Sequence, residues 1–258
     1  MHPIRFVAGT AVVAALLAAP AFGQASSKPG VGAIPFSGTS GSGVTFRTWA
    51  PNATSVGVAG IFNNWSTTAN PMGNEGNGWW SCDVPSIQPG AQYKFVVKNG
   101  ATTYFRNDPR ARRLTASNGN SIVYSPTAYQ WQSQNFRMSP WTSTVIYEMH
   151  VGSFYVPSGS AYGTLSTAMQ KLDYLRDLGV NAIELMPMCE YPTDISGGYN
   201  SPYPFSVESA YGGPDALKAF VDAAHQRGIA VLHDVVYNHF GPNDMDMWQF
   251  DGWSQNNK

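Results

Sequence analysis

Several side chains in the second half of the chain are chemically suggestive. Glu148, Glu184, Glu190 and Asp194 are carboxylates, and Asp234, Asn238 and His239 follow in the run Asp234-Val235-Val236-Tyr237-Asn238-His239. Two carboxyl groups held a few ångströms apart can divide the roles of nucleophile and general acid. A neutral imidazole can donate and accept a hydrogen bond at once, and an amide oxygen suits a hard cation. Glu148 and Glu184 fall inside apolar runs that read as strands, where a carboxylate bonds backbone or interior polar groups. Glu190 and Asp194 fall on a Gly/Tyr/Pro-rich loop and are expected to shape a cleft. No two of these four read as a catalytic pair. The chain has no Cys-x-x-Cys, no His-Glu-x-x-His and no phosphate-cradling glycine loop, so those metal, redox and nucleotide chemistries have no motif here. Cys82 and Cys189 lie far apart in sequence and read as two free or buried thiols, although an oxidising compartment would permit a bridge.

The elements that must position these groups follow from periodicity. Val44-Thr45-Phe46-Arg47-Thr48-Trp49 alternates and stops at Pro51-Asn52. Short runs around Val56, at Trp79–Val84 and at Tyr93-Phe95-Val97 follow, with Asn99-Gly100 as a hairpin turn. This rhythm predicts an antiparallel β-sandwich over residues 43–128, preceded by a Ser/Gly/Pro-rich flexible leader at 24–42. Residues 129–141 read as a linker. From 142 onward the rhythm becomes strand, helix, strand, helix, strand. Strands are expected near 145–151, 182–186 and 229–237, and helices over 164–178 and from Pro214 to Gly228. Parallel strands joined by crossover helices result, with the third strand buried on both faces. Three such strands cannot close a barrel of eight.

Composition narrows the class. The chain has 258 residues, 43% hydrophobic, 12% charged and a net charge of -1. It can bury a core and offers no basic field for nucleic acid. Its 8 Trp and 13 Tyr supply sandwich core and also flat platforms of the kind on which sugar rings stack. Arg5, the apolar residues 6–19 and the small residues before Gln24 form an expected signal peptide over 1–23. A secreted or periplasmic location follows, without a permanent membrane anchor.

Two stretches carry a family resemblance. Asp234–His239, Tyr211–Pro242 (YGGPDALKAFVDAAHQRGIAVLHDVVYNHFGP) and Ile146–Phe154 (IYEMHVGSF) resemble glycoside hydrolase family 13, the α-amylase family. Phe46–Trp65 (FRTWAPNATSVGVAGIFNNW), Tyr93–Val97 and Asn107-Asp108-Pro109 resemble the family 48 carbohydrate-binding module that precedes such barrels. The implied fold is an immunoglobulin-like β-sandwich followed by the first three βα units of a (β/α)8 TIM barrel, at 142–258. The implied activity is hydrolysis or transfer at α-glucosidic bonds of glycogen, starch or maltodextrin, as in 1,4-α-glucan branching enzymes and α-amylases. A malto-oligosyltrehalose trehalohydrolase, or a non-catalytic glycan-binding protein, is the alternative.

The resemblance also implies roles. His239 would bond hydroxyls of the reacting glucose, Asp234 would support it, and Tyr199 would stack on the sugar ring. Asn238 matches a position that ligates Ca²⁺ in many α-amylases, and no cofactor is otherwise required. Trp65 and Lys94 match glycan-contacting positions of the binding module. The family's nucleophile, general acid and stabilising carboxylate follow strands four, five and seven, so they are expected beyond Lys258, and these residues alone are expected to lack activity. Gly197 departs from branching enzymes, which place a tryptophan before the Gly-Tyr pair, and the Asn238-His239 pair departs from their usual pattern too.

Overall fold

The computed structural model describes residues 23–39, 41–193, 195–239, 241 and 247–254. Residues 1–22 of the expected signal peptide, and Asp194, lie outside the described residues. Among those described, no helix is long and apolar enough to cross a membrane.

The first half is a two-sheet sandwich. Its strands are β1 (Gly32–Gly38), β2 (Gly41–Trp49), β3 (Ser55–Gly60), β4 (Gly73–Gly76), β5 (Trp79–Pro85), β6 (Gln92–Asn99), β7 (Thr102–Arg106) and β8 (Ser121–Ile122). One sheet runs β1-β2-β5-β4; the other runs β3-β6-β7, with β8 also on β6. Alternation turns Val44, Phe46, Trp80, Cys82 and Val84 of the first sheet onto Val56, Val58, Tyr93, Phe95 and Val97 of the second, and all are buried. Phe46 and Tyr93 meet edge to face with centroids 5.0 Å apart.

The leader is not free of structure throughout. Residues 32–38 form β1, paired antiparallel with β2 from Gly32↔Arg47 to Gly38↔Gly41. The strand was hidden in the sequence by its glycines and Pro35. An edge strand tolerates proline because it has a ladder on one side only. Before it, Ser26 donates through its hydroxyl to Asp83 at 2.7 Å, and Lys28 pairs with the same carboxylate.

The second half adds β9 (Ile146–Met149), α1 (Val151–Phe154), α2 (Leu165–Met169), α3 (Leu172–Asp177), β10 (Ala182–Leu185), β11 (Cys189–Glu190), β12 (Tyr203–Val207), α4 (Gly213–His225) and β13 (Ala230–His233). Strands β9, β10 and β13 form a parallel sheet in the order β13-β10-β9. Ile183 and Leu185 pack with Leu165, Ala168, Leu172, Leu175, Phe220 and Ala224 of the helices. The single helix expected over 164–178 is two, because the N–H groups of Gln170 and Lys171 bond back three residues and tighten the turn between them.

The third strand is shorter and more open than its apolar sequence suggests. It ends at His233, and Val231 and Leu232 are only half buried. Its described partner is β10, which pairs up to Leu185↔His233. The Asp234 N–H makes the last bond, to the Leu185 carbonyl at 3.0 Å, and Met186-Pro187 then takes the partner away. Val235 and Tyr237, expected within the strand, are 45% and 71% exposed.

Residues 129–141, read as a linker, are laced to α4. Asp222 is buried and accepts from the N–H of Gln132 at 2.9 Å and of Ser133 at 2.8 Å, and from the Ser133 hydroxyl. Burial by itself would raise this carboxyl, but the hydrogen bonds from Ser133 and Gln132 outweigh it and hold the pKa below the usual value. Phe136 stacks flat on His225 with centroids 4.0 Å apart. A buried acceptor on the helix is what converts a stretch of mixed composition into fixed structure.

Candidate functional site

The carboxyl ends of β9, β10 and β13 lie side by side, and the groups expected to do chemistry gather there. Such ends are where parallel barrels place their sites. Asp234 follows β13 directly and is half buried, while Asn238 and His239 are exposed. Asn238 Nδ2 lies 3.3 Å from His239 Nε2. Tyr199, 46% exposed, sits on the loop that leads from β11 to β12.

Glycines make this loop possible. Gly198 adopts φ +79°, and a β-carbon there would lie 2.2 Å from the Pro187 carbonyl oxygen. The loop also meets the segment after β13: a β-carbon on Gly241 would lie 2.7 Å from the Asn200 oxygen. Tyr199 precedes Asn200 and His239 lies two residues before Gly241, so the fold brings together the two segments that carry them.

His150, the residue after β9, received no role from the sequence. Its Nε2 lies 3.0 Å from the Ser196 carbonyl and its Nδ1 2.8 Å from Ser153 Oγ. The carbonyl only accepts, so Nε2 carries a proton and donates to it. Tyr211 OH lies 3.2 Å from the same Nε2. His150 thus fixes Ser196, which begins the turn to Tyr199. The signal in the sequence was a histidine at the end of a short strand, preceding a helix. It lines a cavity of about 460 Å³ with Tyr147, Glu148, Ser153, Phe154 and Met186.

One of the tempting carboxylates is already engaged. Glu190 is fully buried and accepts from the Ser209 N–H at 2.8 Å and the Ser209 hydroxyl at 2.9 Å. Glu208, which the sequence reading passed over, returns the favour: it accepts from the Tyr191 N–H at 3.1 Å and the Ala210 N–H at 2.9 Å. Each holds the backbone just after the other, so Glu190 locks the β11–β12 loop instead of lining the cleft. Glu148 and Glu184 are register partners on β9 and β10. Asn238 offers one amide oxygen where calcium needs six to eight ligands. Among the described residues no three His, Cys, Asp or Glu side chains gather as a metal site. Cys82 and Cys189 are free, and burial pushes the Cys82 thiol up to about 12.

In the sandwich, Trp65 follows the turn after β3, and its N–H donates to the Gly60 carbonyl at 2.9 Å. Asn64 and Trp65 both have positive φ, 52° and 58°, a strained pair for residues with side chains. Lys94 faces Ala59 across β3 and β6, one residue from the Gly60 that Trp65 bonds. Both therefore lie at the same end of the β3–β6 ladder.

The two halves match two known families. Residues 31–111 match carbohydrate-binding module 48 (isoamylase N-terminal domain), and residues 113–256 match the alpha amylase catalytic domain. A 1,4-alpha-glucan branching enzyme of Methylococcus capsulatus is 36% identical over 233 residues, which are 86% of this chain and 32% of that protein. The crystal structure of a candidate alpha amylase from Salmonella typhimurium superposes with a TM-score of 0.73 at 36% identity, over 84% of this chain and 35% of that one. Pullulanase type I from Bacillus subtilis, solved with maltose, gives 0.71 at 25% identity over 86% and 35%. The chain spans about a third of the length of these relatives. Its second half fits the alpha amylase catalytic domain over more than half of the chain, behind a sandwich of the binding-module type, and the protein belongs to the α-amylase family of glycoside hydrolases and glucan transferases.

Proposed function

We propose that these residues hold an α-glucan chain for an enzyme that hydrolyses or transfers α-glucosidic bonds of glycogen, starch or maltodextrin, and that by themselves they bind without cleaving. The observation that carries this is the meeting of the Tyr199 loop with the segment holding Asp234 and His239 at the carboxyl ends of parallel strands. Tyr199 offers an exposed ring face to a pyranose. His239 offers an exposed imidazole that can donate to one hydroxyl and accept from another. Asp234, half buried beside it, keeps a carboxylate within the same strand end.

The cleaving step is assigned to none of the described carboxylates. A retaining glycosidase needs two carboxyl groups about 5–5.5 Å apart, one of them a free nucleophile. Glu190 and Glu208 are committed to backbone N–H groups, and Glu148 and Glu184 sit within strands. Within the sandwich, Trp65 and Lys94 are proposed as a second glycan contact. Gly197, which replaces a tryptophan of branching enzymes, favours an amylase-like or trehalohydrolase-like reaction as the second reading. Export to a secreted or periplasmic location is proposed from residues 1–23.

The test is binding first, then turnover. Affinity electrophoresis through glycogen-containing gels should retard the chain, and Tyr199→Ala should reduce the retardation by about tenfold in affinity. Incubation with amylose should change neither iodine colour nor reducing ends. A fall in iodine colour with few new ends would show branching by these residues, and new reducing ends would show hydrolysis; either would overturn the holding role.

A further inference from the structure

A cavity of about 360 Å³ opens between the sandwich and the second half, and Pro202 and Gly241, which follow Tyr199 and His239 in the chain, line one side of it. Trp49 and Trp79 line it from β2 and β5, where they are direct register partners and so project from the same face of the sheet. Phe205 of β12, and Trp248 and Phe250 of the following turns, line it from the other half. Trp49 is 54% exposed and Phe205 50% exposed. Both rings are left open on the wall of one cavity.

The rings are held in place. The Trp49 indole N–H donates to the Asn77 carbonyl at 3.1 Å, so what remains to a ligand is the face of the ring. The Arg110 guanidinium lies over the Phe205 ring, 4.6 Å from its centroid, and keeps donors at the cavity rim. Flat aromatic faces bordered by a donor group suit a molecule with apolar C–H faces and hydroxyls around its edge. An alkyl chain would make no use of the guanidinium, and a lone guanidinium is a weak basis for a polyanion.

We infer that this cavity is a third α-glucan site, built on rings other than Trp65 and Tyr199, in which Trp49 and Phe205 stack on glucose rings and Arg110 bonds their hydroxyls. Trp65 follows a strand of the other sheet, so one glucan residue cannot satisfy both. The inference rests on the glucan-binding reading proposed above. A site that joins both halves would tie glucan binding to their relative placement.

Titration of the full chain with maltoheptaose, followed by calorimetry, tests it. Trp49→Ala and Phe205→Ala should each weaken one class of sites by about tenfold, Trp49→Phe should restore most of it, and Trp65→Ala or Tyr199→Ala should leave that class unchanged. Thermal melts that match the parent chain would show that the variants fold. If Trp65→Ala or Tyr199→Ala abolishes all binding while Trp49→Ala and Phe205→Ala bind normally, the cavity assignment falls and the glucan reading stands. If the unaltered chain binds no maltoheptaose, both fall. If Trp49→Ala instead turns a sedimenting dimer into a monomer, the cavity belongs to a second copy of the chain and the assignment is overturned.

Discussion

Asp251 closes the molecule onto Asn52, accepting from its backbone N–H and its side-chain amide, each at 2.9 Å, across 199 residues of sequence. The carboxylate is 3% exposed. Around it, Asn99 Nδ2 donates to the Asp251 carbonyl at 3.1 Å, and Arg106 donates to the carbonyls of Phe250 and Gln249, both at 3.0 Å. Phe250 packs onto the sandwich core. The last described turn is therefore fastened to the first half by a buried acceptor and a ring.

Removing that acceptor should be costly. Asp251→Ala would strand the Asn52 donors, and about 1–3 kcal/mol of stability should be lost. Asp251→Asn, which retains one carbonyl oxygen, should lose less. Urea unfolding followed by tryptophan fluorescence measures both.

Asp222 offers a local version of the same test. Asp222→Ala should release residues 129–136 from α4 while leaving the buried apolar contacts of the helix intact. Limited proteolysis should then cut near Gln130–Arg137 at a rate several-fold above that of the unaltered chain, at temperatures well below its melting point. Equal cleavage rates would show that Phe136 on His225 suffices to hold the segment.

Asp108 sets a pH dependence with a definite sign. Burial raises its carboxyl to about 6, against hydrogen bonds from the Tyr93 hydroxyl and the Arg110 N–H that lower it. The folded pKa lies above the unfolded value of 3.8, so between about pH 4 and 6 the folded chain binds more protons. Stability from this group is full below pH 4 and is lost as pH rises to 6, by about 3 kcal/mol at most. The depressed Asp83 and Asp222 run the other way, gaining stability as pH rises. Comparing the parent chain with Asp108→Asn isolates the term: the variant's stability should rise relative to the parent between pH 4 and 6, and the difference should be flat above.

His150 is a positioning residue for the Tyr199 loop. His150→Ala should weaken maltoheptaose binding at that cleft by about tenfold with little change in global melting. His150→Gln, which can donate to the Ser196 carbonyl from its amide, should recover part of it. A merely structural role would lower the melting temperature and spare the affinity.

The sequence by itself determined the two architectures, because both rest on periodicity. Alternation at Val44 and Phe46 and the spacing of Leu165, Ala168, Leu172 and Leu175 each choose a face to bury, and the structure buries those six residues. It also determined the family, because the motif around Asp234–His239 and the Phe46–Trp65 run are local strings. What only the tertiary structure decided depends on partners distant in sequence. Pro35 hides a strand that exists through pairing with β2. Residues 129–141 are ordered by Asp222 on α4. The third strand stops at His233 because β10 stops supplying carbonyls at Leu185. Glu190 looked like a cleft carboxylate, yet it accepts from Ser209 while Glu208 accepts from Tyr191. His150 gained its place through the Ser196 carbonyl. A hydrogen bond between residues tens of positions apart leaves no period in the sequence, and those bonds decided which of the polar groups hold the fold and which remain free to meet a ligand.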